Sequence, residues 1–290
     1  MGDVKEKFKV DFIGVGAPKC GTSWIYRCLN EHPGICMSEP KETYFFSSYQ
    51  GEFRKDYPDN YHKGISEYVK YFSSCPTNSK IGEYCTVYLY DEIALKRIKK
   101  NFSGIKIIIC LRNPIERSYS HYLHFLSKGL EKNIFLEALK VNNEYVERSK
   151  YSKYIQKCYE IFRRENVIVL TLDEIIINPK KVVEDLYKFL GVDRNYIPKV
   201  LHKKFNTSKI RSSKLYMISK KIKARYGKFF LGMIAVKIFY KINYIYNTLK
   251  PCSRFKYKIS EKHRKELEKI FSEDILNLEK IINKDLSNWR

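Results

Sequence analysis

The chain has no Cys-x-x-Cys pair and no cysteine–histidine spacing of the kind that holds zinc, although eight of its 290 residues are cysteine. They stand singly at Cys20, Cys28, Cys36, Cys75, Cys85, Cys110, Cys158 and Cys252. Several lie inside apolar runs, as Cys110 does in I-K-I-I-I-C-L-R, where a thiol acts as a small buried hydrophobe. A reducing compartment is the expectation. No run of about 18 uncharged residues exists, which argues against a membrane span. The opening M-G-D-V-K-E-K-F-K-V holds no apolar signal region, and Gly2 is not followed by the Ser/Thr that a myristoylation signal needs. A cytoplasmic location is expected from this. There is no internal repeat and no low-complexity linker, so residues 1–290 read as one domain.

Acidic residues are scarce against basic ones. The chain has 32 Asp+Glu and 55 Lys+Arg, a net charge of +23, which points to an anionic partner: nucleic acid, a membrane surface, a phosphorylated cofactor or an acidic polymer. Part of the excess fits a chain rich in Lys, Ile, Asn and Tyr, the bias of an AT-rich genome. Hydrophobic content of 44% with 30% charged residues is ordinary for a globular protein long enough to bury a sizeable core.

What is present centres on D-F-I-G-V-G-A-P-K-C-G-T-S-W-I-Y-R-C-L, residues 11 to 29. Phe12, Ile13 and Val15 form a short apolar strand, residues 14–21 a glycine-punctuated loop, and Trp24, Ile25, Cys28 and Leu29 recur at helical spacing. A strand, a glycine-containing turn and a helix N-terminus make an anion site, because small residues let backbone N–H groups approach and the helix dipole favours negative charge. Lys19 adds a full positive charge, and Thr22 and Ser23 add hydroxyl donors in the first turn. Gly16 and Gly21 match the glycine spacing of the nucleotide-binding loop G-x-x-x-x-G-K-[ST], but its lysine is replaced by Thr22 and a lysine stands inside the loop at Lys19. With no D-x-x-G switch following, an ordinary ATPase or GTPase is disfavoured.

Further along, His32-Pro33-Gly34 ends the first helix, residues 35–37 read as a short strand and 39–46 as an extended segment. A short helix is predicted near 64–73, strand or loop over 81–89, and a helix over 91–101. Ile105 to Leu111 is a nearly continuous apolar run, as expected of a central parallel strand. Residues 115–127 read as a helix, 132–164 as two helices, 167–172 as a buried strand, and 179–190 as a helix stopped by Gly191. This alternation implies a three-layer α/β/α fold with a central parallel sheet and helices on both faces. Residues 203–228 are strongly basic, 229–249 apolar but broken by Lys237 and Lys241, and 260–283 a charged amphipathic helix. The 229–249 stretch reads as a core or capping helix, with peripheral membrane contact as the other reading.

A second anion site is expected in I-I-I-C-L-R-N-P-I-E-R-S-Y-S-H-Y. Arg112 sits at the carboxyl end of a buried strand, where ligands collect in open α/β sheets, and Ser120 lies eight residues on, in the following helix. An arginine fork and a serine hydroxyl suit a phosphate. Two such sites on one sheet imply a ligand phosphorylated at both ends.

The blocks A-P-K-C-G-T-S-W-I and L-R-N-P-I-E-R-S-Y-S-H-Y resemble the 5′-phosphosulfate and 3′-phosphate loops of sulfotransferases that use 3′-phosphoadenylyl sulfate (PAPS). K-E-T-Y-F-F resembles the K-E-x-x-F-F segment of the heparan-sulfate branch and its bacterial relatives, and D-L-S-N-W resembles the bacterial C-terminus. The resemblance implies a PAPS-dependent sulfotransferase. Lys19 would contact the bridging oxygen, and Cys20, Gly21, Thr22 and Ser23 would line the 5′ group. Arg112 and Ser120 would hold the 3′-phosphate. Glu42 would be the general base, and His124, one helical turn beyond Ser120, a second acid–base candidate. His121 is expected to face away, and Trp24 to be a core aromatic. A basic loop over the cofactor is expected among Lys203, Lys204, Lys209 and Arg211. Relatives of the heparan branch carry K-S-P-x-Y where this chain has Tyr84-Cys85-Thr86-Val87-Tyr88, so the lysine that meets an acidic sugar has no counterpart.

The expected acceptor is a hydroxyl or amine of a saccharide or glycolipid, with no metal required. Two other readings stand beside this. A small-molecule kinase would need a magnesium-binding carboxylate after a buried strand, and Asp173 is the candidate. A basic nucleic-acid-binding protein fits the charge, but no RNA- or DNA-binding motif accompanies it, and no nucleic-acid partner is expected.

Overall fold

A computed structural model describes residues 8–48, 59–128, 130–203, 205 and 259–290. These divide into two compact units, the first formed from Met1–Asn113, Lys150–Asn206 and Glu273–Arg290, the second from Pro114–Ser149 and Thr207–Ser272.

The first unit is built on a five-stranded, wholly parallel sheet: β1 (Phe12–Gly16), β2 (Ile35–Met37), β3 (Lys80–Tyr84), β4 (Lys106–Leu111) and β5 (Val167–Thr171), in the order β2-β3-β1-β4-β5. The apolar runs of β1 and β4 are buried along almost their whole length, as parallel strands covered on both faces must be. Helix α1 (Thr22–Glu31) follows β1 and buries Trp24, Ile25, Cys28 and Leu29. Helix α2 (Ile65–Val69) lies before β3, and α3 (Glu92–Asn101) before β4. The chain leaves β1 toward β2 on one side and leaves β4 toward β5 on the other. Right-handed crossovers then set helices on opposite faces and open a crevice at the carboxyl ends of β1 and β4.

Side-chain contacts agree. Helix α9 (Pro179–Leu190) reaches α1 through Tyr187, whose hydroxyl donates to the Cys28 carbonyl at 2.8 Å. On the other face Tyr90, just ahead of α3, meets Tyr154 of α7 (Ser152–Phe162) edge to face. A helix the sequence did not announce, α8 (Leu172–Ile177), starts directly at the end of β5. Thr171 and Glu174 close a capping box on it, and that local signal was available in T-L-D-E. Helix α9 begins as expected with Asn178 and Pro179 and ends at Gly191 with φ of 75°.

Glycine is needed in the sheet for close approach rather than for turning. A Cβ on Gly14 would stand 2.3 Å from the Tyr84 ring, which is fully buried and hydrogen-bonded through its hydroxyl to the Gly16 carbonyl at 3.0 Å. Gly14→Ala is therefore expected to destabilise the protein by about 3 kcal/mol, the upper part of the range for overpacking a closed core. A denaturant midpoint within error of wild type would refute this.

The second unit contains α4 (Pro114–Ser127), α5 (Phe135–Val141), α6 (Glu144–Glu147) and the first half of α10 (Glu261–Ile282). Its core gathers Tyr119, Tyr122, Phe135 and Tyr145, with Glu131 accepting from the Tyr145 hydroxyl at 3.1 Å. Arg117 is fully buried and bonds His121, while its Nε and Nη1 have no hydrogen-bond partner.

Three expectations are corrected. Residues 132–164 form three helices, α5, α6 and α7, because Asn142 and the 148–151 turn interrupt the run. Residues 39–46 are not extended throughout: they bend at 39–41 and turn at 45–46, after Tyr44 with φ of 56°. The cysteines are not all thiols, since Cys36 on β2 and Cys75 form a disulfide across a Cα separation of 5.6 Å. Two residues 39 positions apart carry no pairing signal of their own. Cys20, Cys28, Cys85, Cys110 and Cys158 are buried thiols outside any disulfide. Lys204, Lys209, Arg211, Cys252 and the 229–249 stretch lie outside the described residues.

Candidate functional site

The carboxyl ends of β1 and β4 carry the two basic residues singled out in the sequence. Lys19 adopts a positive φ of 74° and Gly21 one of 85°, so the loop curls before α1 begins. Glycine suits that left-handed position, and Gly21 as N-cap leaves α1 without any side-chain cap. The first turn of the helix thus begins at a backbone-only N-terminus carrying Thr22 and Ser23, with no acidic side chain in that turn. Opposite, Arg112 follows β4 directly and its Nη1 donates to the Lys19 carbonyl at 3.5 Å. The two loops are further tied by Ala17 N–H to the Cys110 carbonyl at 2.8 Å and by the Cys110 thiol to the Cys20 carbonyl at 2.8 Å. Lys19, Cys20, Gly21, Thr22, Ser23 and Arg112 are brought together in one unit.

Burial pushes the Cys110 and Cys28 thiols well above their ordinary range, so both stay protonated at neutral pH.

Glu42 sits on the segment after β2, its side chain about a quarter exposed. One carboxylate oxygen accepts from Thr86 Oγ1 at 3.1 Å and from Lys41 Nζ at 3.5 Å; the other accepts from the Tyr44 hydroxyl. Lys41 Nζ also lies 5.6 Å from the centroid of the Tyr84 ring, and Tyr84 is bonded to Gly16. The carboxylate segment is thereby linked through Tyr84 to the end of β1 that leads into the 17–21 loop.

Sequence reasoning missed the residues that hold Glu42. Tyr84 and Thr86 replace the K-S-P-x-Y segment: Tyr84 braces the β1 loop, and Thr86 donates to Glu42. Beneath them, Glu83 of β3 is fully buried and accepts from Thr43 Oγ1, from Tyr68 at 2.6 Å and from Tyr88 at 3.0 Å, with the Thr43 N–H at 3.3 Å. It clamps the residue next to Glu42. A carboxylate between Gly82 and Tyr84 within a strand was the signal that could have found it, since such a group needs partners when buried.

Burial raises the Glu83 pKa above its ordinary value, and the hydrogen bonds from Thr43, Tyr68 and Tyr88 only partly offset this. The folded state then holds a proton that the unfolded state releases at about pH 4.3, so this group's contribution to stability falls as pH rises through that window and levels off above the folded pKa. Glu83→Gln removes the titration. Its stability relative to wild type is expected to increase with pH between acid and neutral conditions. Denaturant unfolding at several pH values checks it, and a relative decrease with pH would contradict it.

Ser120 and His124 belong to the second unit, half-buried and one turn apart on α4. His121 turns to Arg117 in the core, as expected. Trp24 is a core residue whose indole donates to the Leu201 carbonyl at 2.9 Å. Lys203 closes a turn onto Val200. Asp173, the carboxylate a kinase would need, accepts the Trp289 indole N–H at 2.7 Å. Among the described residues no group of three or more metal-ligating side chains occurs, and no helix is long and apolar enough to cross a membrane.

Comparison with known proteins places this geometry. The sulfotransferase domain model matches residues 9–231. The chain is 29% identical over 196 residues to the bifunctional heparan sulfate N-deacetylase/N-sulfotransferase 1 of Xenopus laevis, covering 61% of this chain and 22% of that protein. It is 32% identical over 126 residues to the membrane-associated sulfotransferase kil1 of Dictyostelium discoideum, covering 42% and 24%. The chain thus spans less than a quarter of the length of these relatives. A sulfotransferase crystal structure from Alicyclobacillus acidocaldarius shares the fold at a TM-score of 0.71 and 24% identity, covering 98% of this chain and 99% of that one. A five-stranded parallel sheet with a glycine-containing strand-to-helix loop after β1 and a domain match over most of the chain lead to one conclusion: the protein belongs to the sulfotransferase family.

Proposed function

We propose that the protein transfers the sulfuryl group of PAPS to an amine or hydroxyl of a saccharide or glycolipid acceptor. The observation that carries this is the hydrogen bond from Arg112 to the Lys19 backbone carbonyl, which ties the loops bearing the two basic residues together at the carboxyl ends of β1 and β4, beside a helix N-terminus without a side-chain cap. An anion with phosphate at both ends suits that arrangement. Lys19 and the N–H groups of Gly21, Thr22 and Ser23 would hold the 5′ group, and Arg112 the 3′-phosphate. The motif from Arg112 to Ser120 is the basis for giving Ser120 the same task.

The donor supplies a sulfuryl group whose bond to phosphate oxygen breaks as the acceptor's bond to sulfur forms. Lys19 offsets negative charge growing on the departing phosphate, the electrostatic contribution expected to be largest. Glu42 takes the proton from the attacking amine or hydroxyl; its hydrogen bonds from Thr86 and Tyr44 orient it as acceptor. His124 is a second proton carrier on the sequence motif.

The N-sulfotransferase naming of the heparan sulfate relative supports a saccharide amine as the first acceptor to try. The test is calorimetric titration with adenosine 3′,5′-bisphosphate without metal, followed by transfer from labelled PAPS to N-deacetylated heparosan oligosaccharides. Micromolar binding, about −8 kcal/mol, and labelled product are expected. No binding of the bisphosphate, with binding of ATP and magnesium instead, would replace this reading by the kinase.

A further inference from the structure

Residues 284–290 engage the supports of both loops: α8, which backs the 19–23 loop, and Asn113, which adjoins Arg112. Trp289, only 2% exposed, donates its indole N–H to Asp173 Oδ2 at 2.7 Å, and its carbonyl accepts from Asn113 Nδ2 at 3.3 Å. Asn113 is the neighbour of Arg112. Asp173 lies in the first turn of α8, whose Leu172 and Ile175 back onto Gly21: a Cβ at Gly21 would meet Leu172 Cδ1 at 2.9 Å and Ile175 Cδ1 at 3.6 Å. Lys284 adds a second tie to α8 through Glu174 at 2.6 Å.

A third link runs through Tyr151. Its ring lies 6.4 Å from that of Trp289, and its hydroxyl donates to the Arg112 carbonyl at 3.0 Å while standing 3.8 Å from Cys20 Sγ. Asp274 of α10 in turn accepts the Tyr151 N–H at 2.6 Å. Trp289 therefore reaches the support of the 19–23 loop and the tyrosine between the loops through its side chain, and the neighbour of Arg112 through its backbone carbonyl.

We infer that Trp289 is a positioning residue that sets the spacing of the Lys19 and Arg112 loops, and so selects a ligand phosphorylated at both ends. This rests on the bisphosphate reading above. A ligand that engages only the 19–23 loop does not need the spacing; a ligand that spans both loops does, because misplacing one anchor weakens binding through the other.

The experiment compares wild type, Trp289→Phe and Trp289→Ala for calorimetric affinity toward adenosine 3′,5′-bisphosphate and adenosine 5′-monophosphate, with thermal unfolding of each. Phenylalanine keeps the buried ring and loses the N–H donated to Asp173, so it remains the informative variant if alanine does not fold. Trp289→Phe is expected to lose about fivefold in bisphosphate affinity and less than twofold in monophosphate affinity, with its unfolding midpoint near wild type. Trp289→Ala should widen that ratio. Equal losses for both nucleotides, or an unchanged bisphosphate affinity in a folded variant, overturn the inference. A wild type that binds neither nucleotide overturns the donor reading itself, and this inference with it.

Discussion

Lys19→Ala is expected to weaken adenosine 3′,5′-bisphosphate binding by about 2 kcal/mol, roughly 30-fold, and to slow sulfuryl transfer by a further 10²-fold or more. The two effects separate because the ammonium meets phosphate in the bound state but opposes the most charge as the phosphate leaves. Lys19 holds a positive φ of 74° in a loop whose carbonyl is also engaged by Arg112 at 3.5 Å. Alanine at that backbone position costs some local order, so Lys19→Arg is the control. It keeps charge and backbone but places a planar fork where a compact point charge stood. Arg112→Ala is expected to match the loss in binding with a smaller loss in transfer, since the 3′ end lies away from the bond that breaks. A Lys19→Ala protein that binds and transfers as wild type would remove the anion loop from the mechanism.

Glu42→Gln is expected to lower the transfer rate by about 10³-fold and to leave bisphosphate affinity within a factor of two. The amide preserves size and still meets Thr86 and Tyr44, but it cannot accept the proton of the attacking group. Rate measurements with labelled PAPS on wild type and variant check this. An unchanged rate would move the base to His124, for which His124→Gln is the next variant.

Much of the fold was legible from local pattern. The apolar runs at 12–16, 106–111 and 167–171 are strands because their side chains alternate into two covered faces, and their spacing by helical segments left a parallel sheet as the economical arrangement. The strand–loop–helix turn was equally local: Lys19, Gly21, Thr22 and Ser23 are near neighbours in sequence, and the start of α1 brings them to one end.

What the sequence determined by itself was therefore everything carried by contiguous residues: the strand–loop–helix unit, the basic residue at the end of β4 and the carboxylate in K-E-T-Y-F-F. Only the tertiary structure decided what depends on distant partners. Glu83 is a buried clamp because Thr43, Tyr68 and Tyr88 converge on it from separate segments, and Asp173 is engaged because Trp289 reaches it from 116 residues away. Cys36 and Cys75 are paired because β2 passes the turn after α2. The physical reason is the same in each case. Covalent neighbours constrain backbone shape within a few residues, whereas the cost of burying a polar group is met by whichever partner the packed chain places against it.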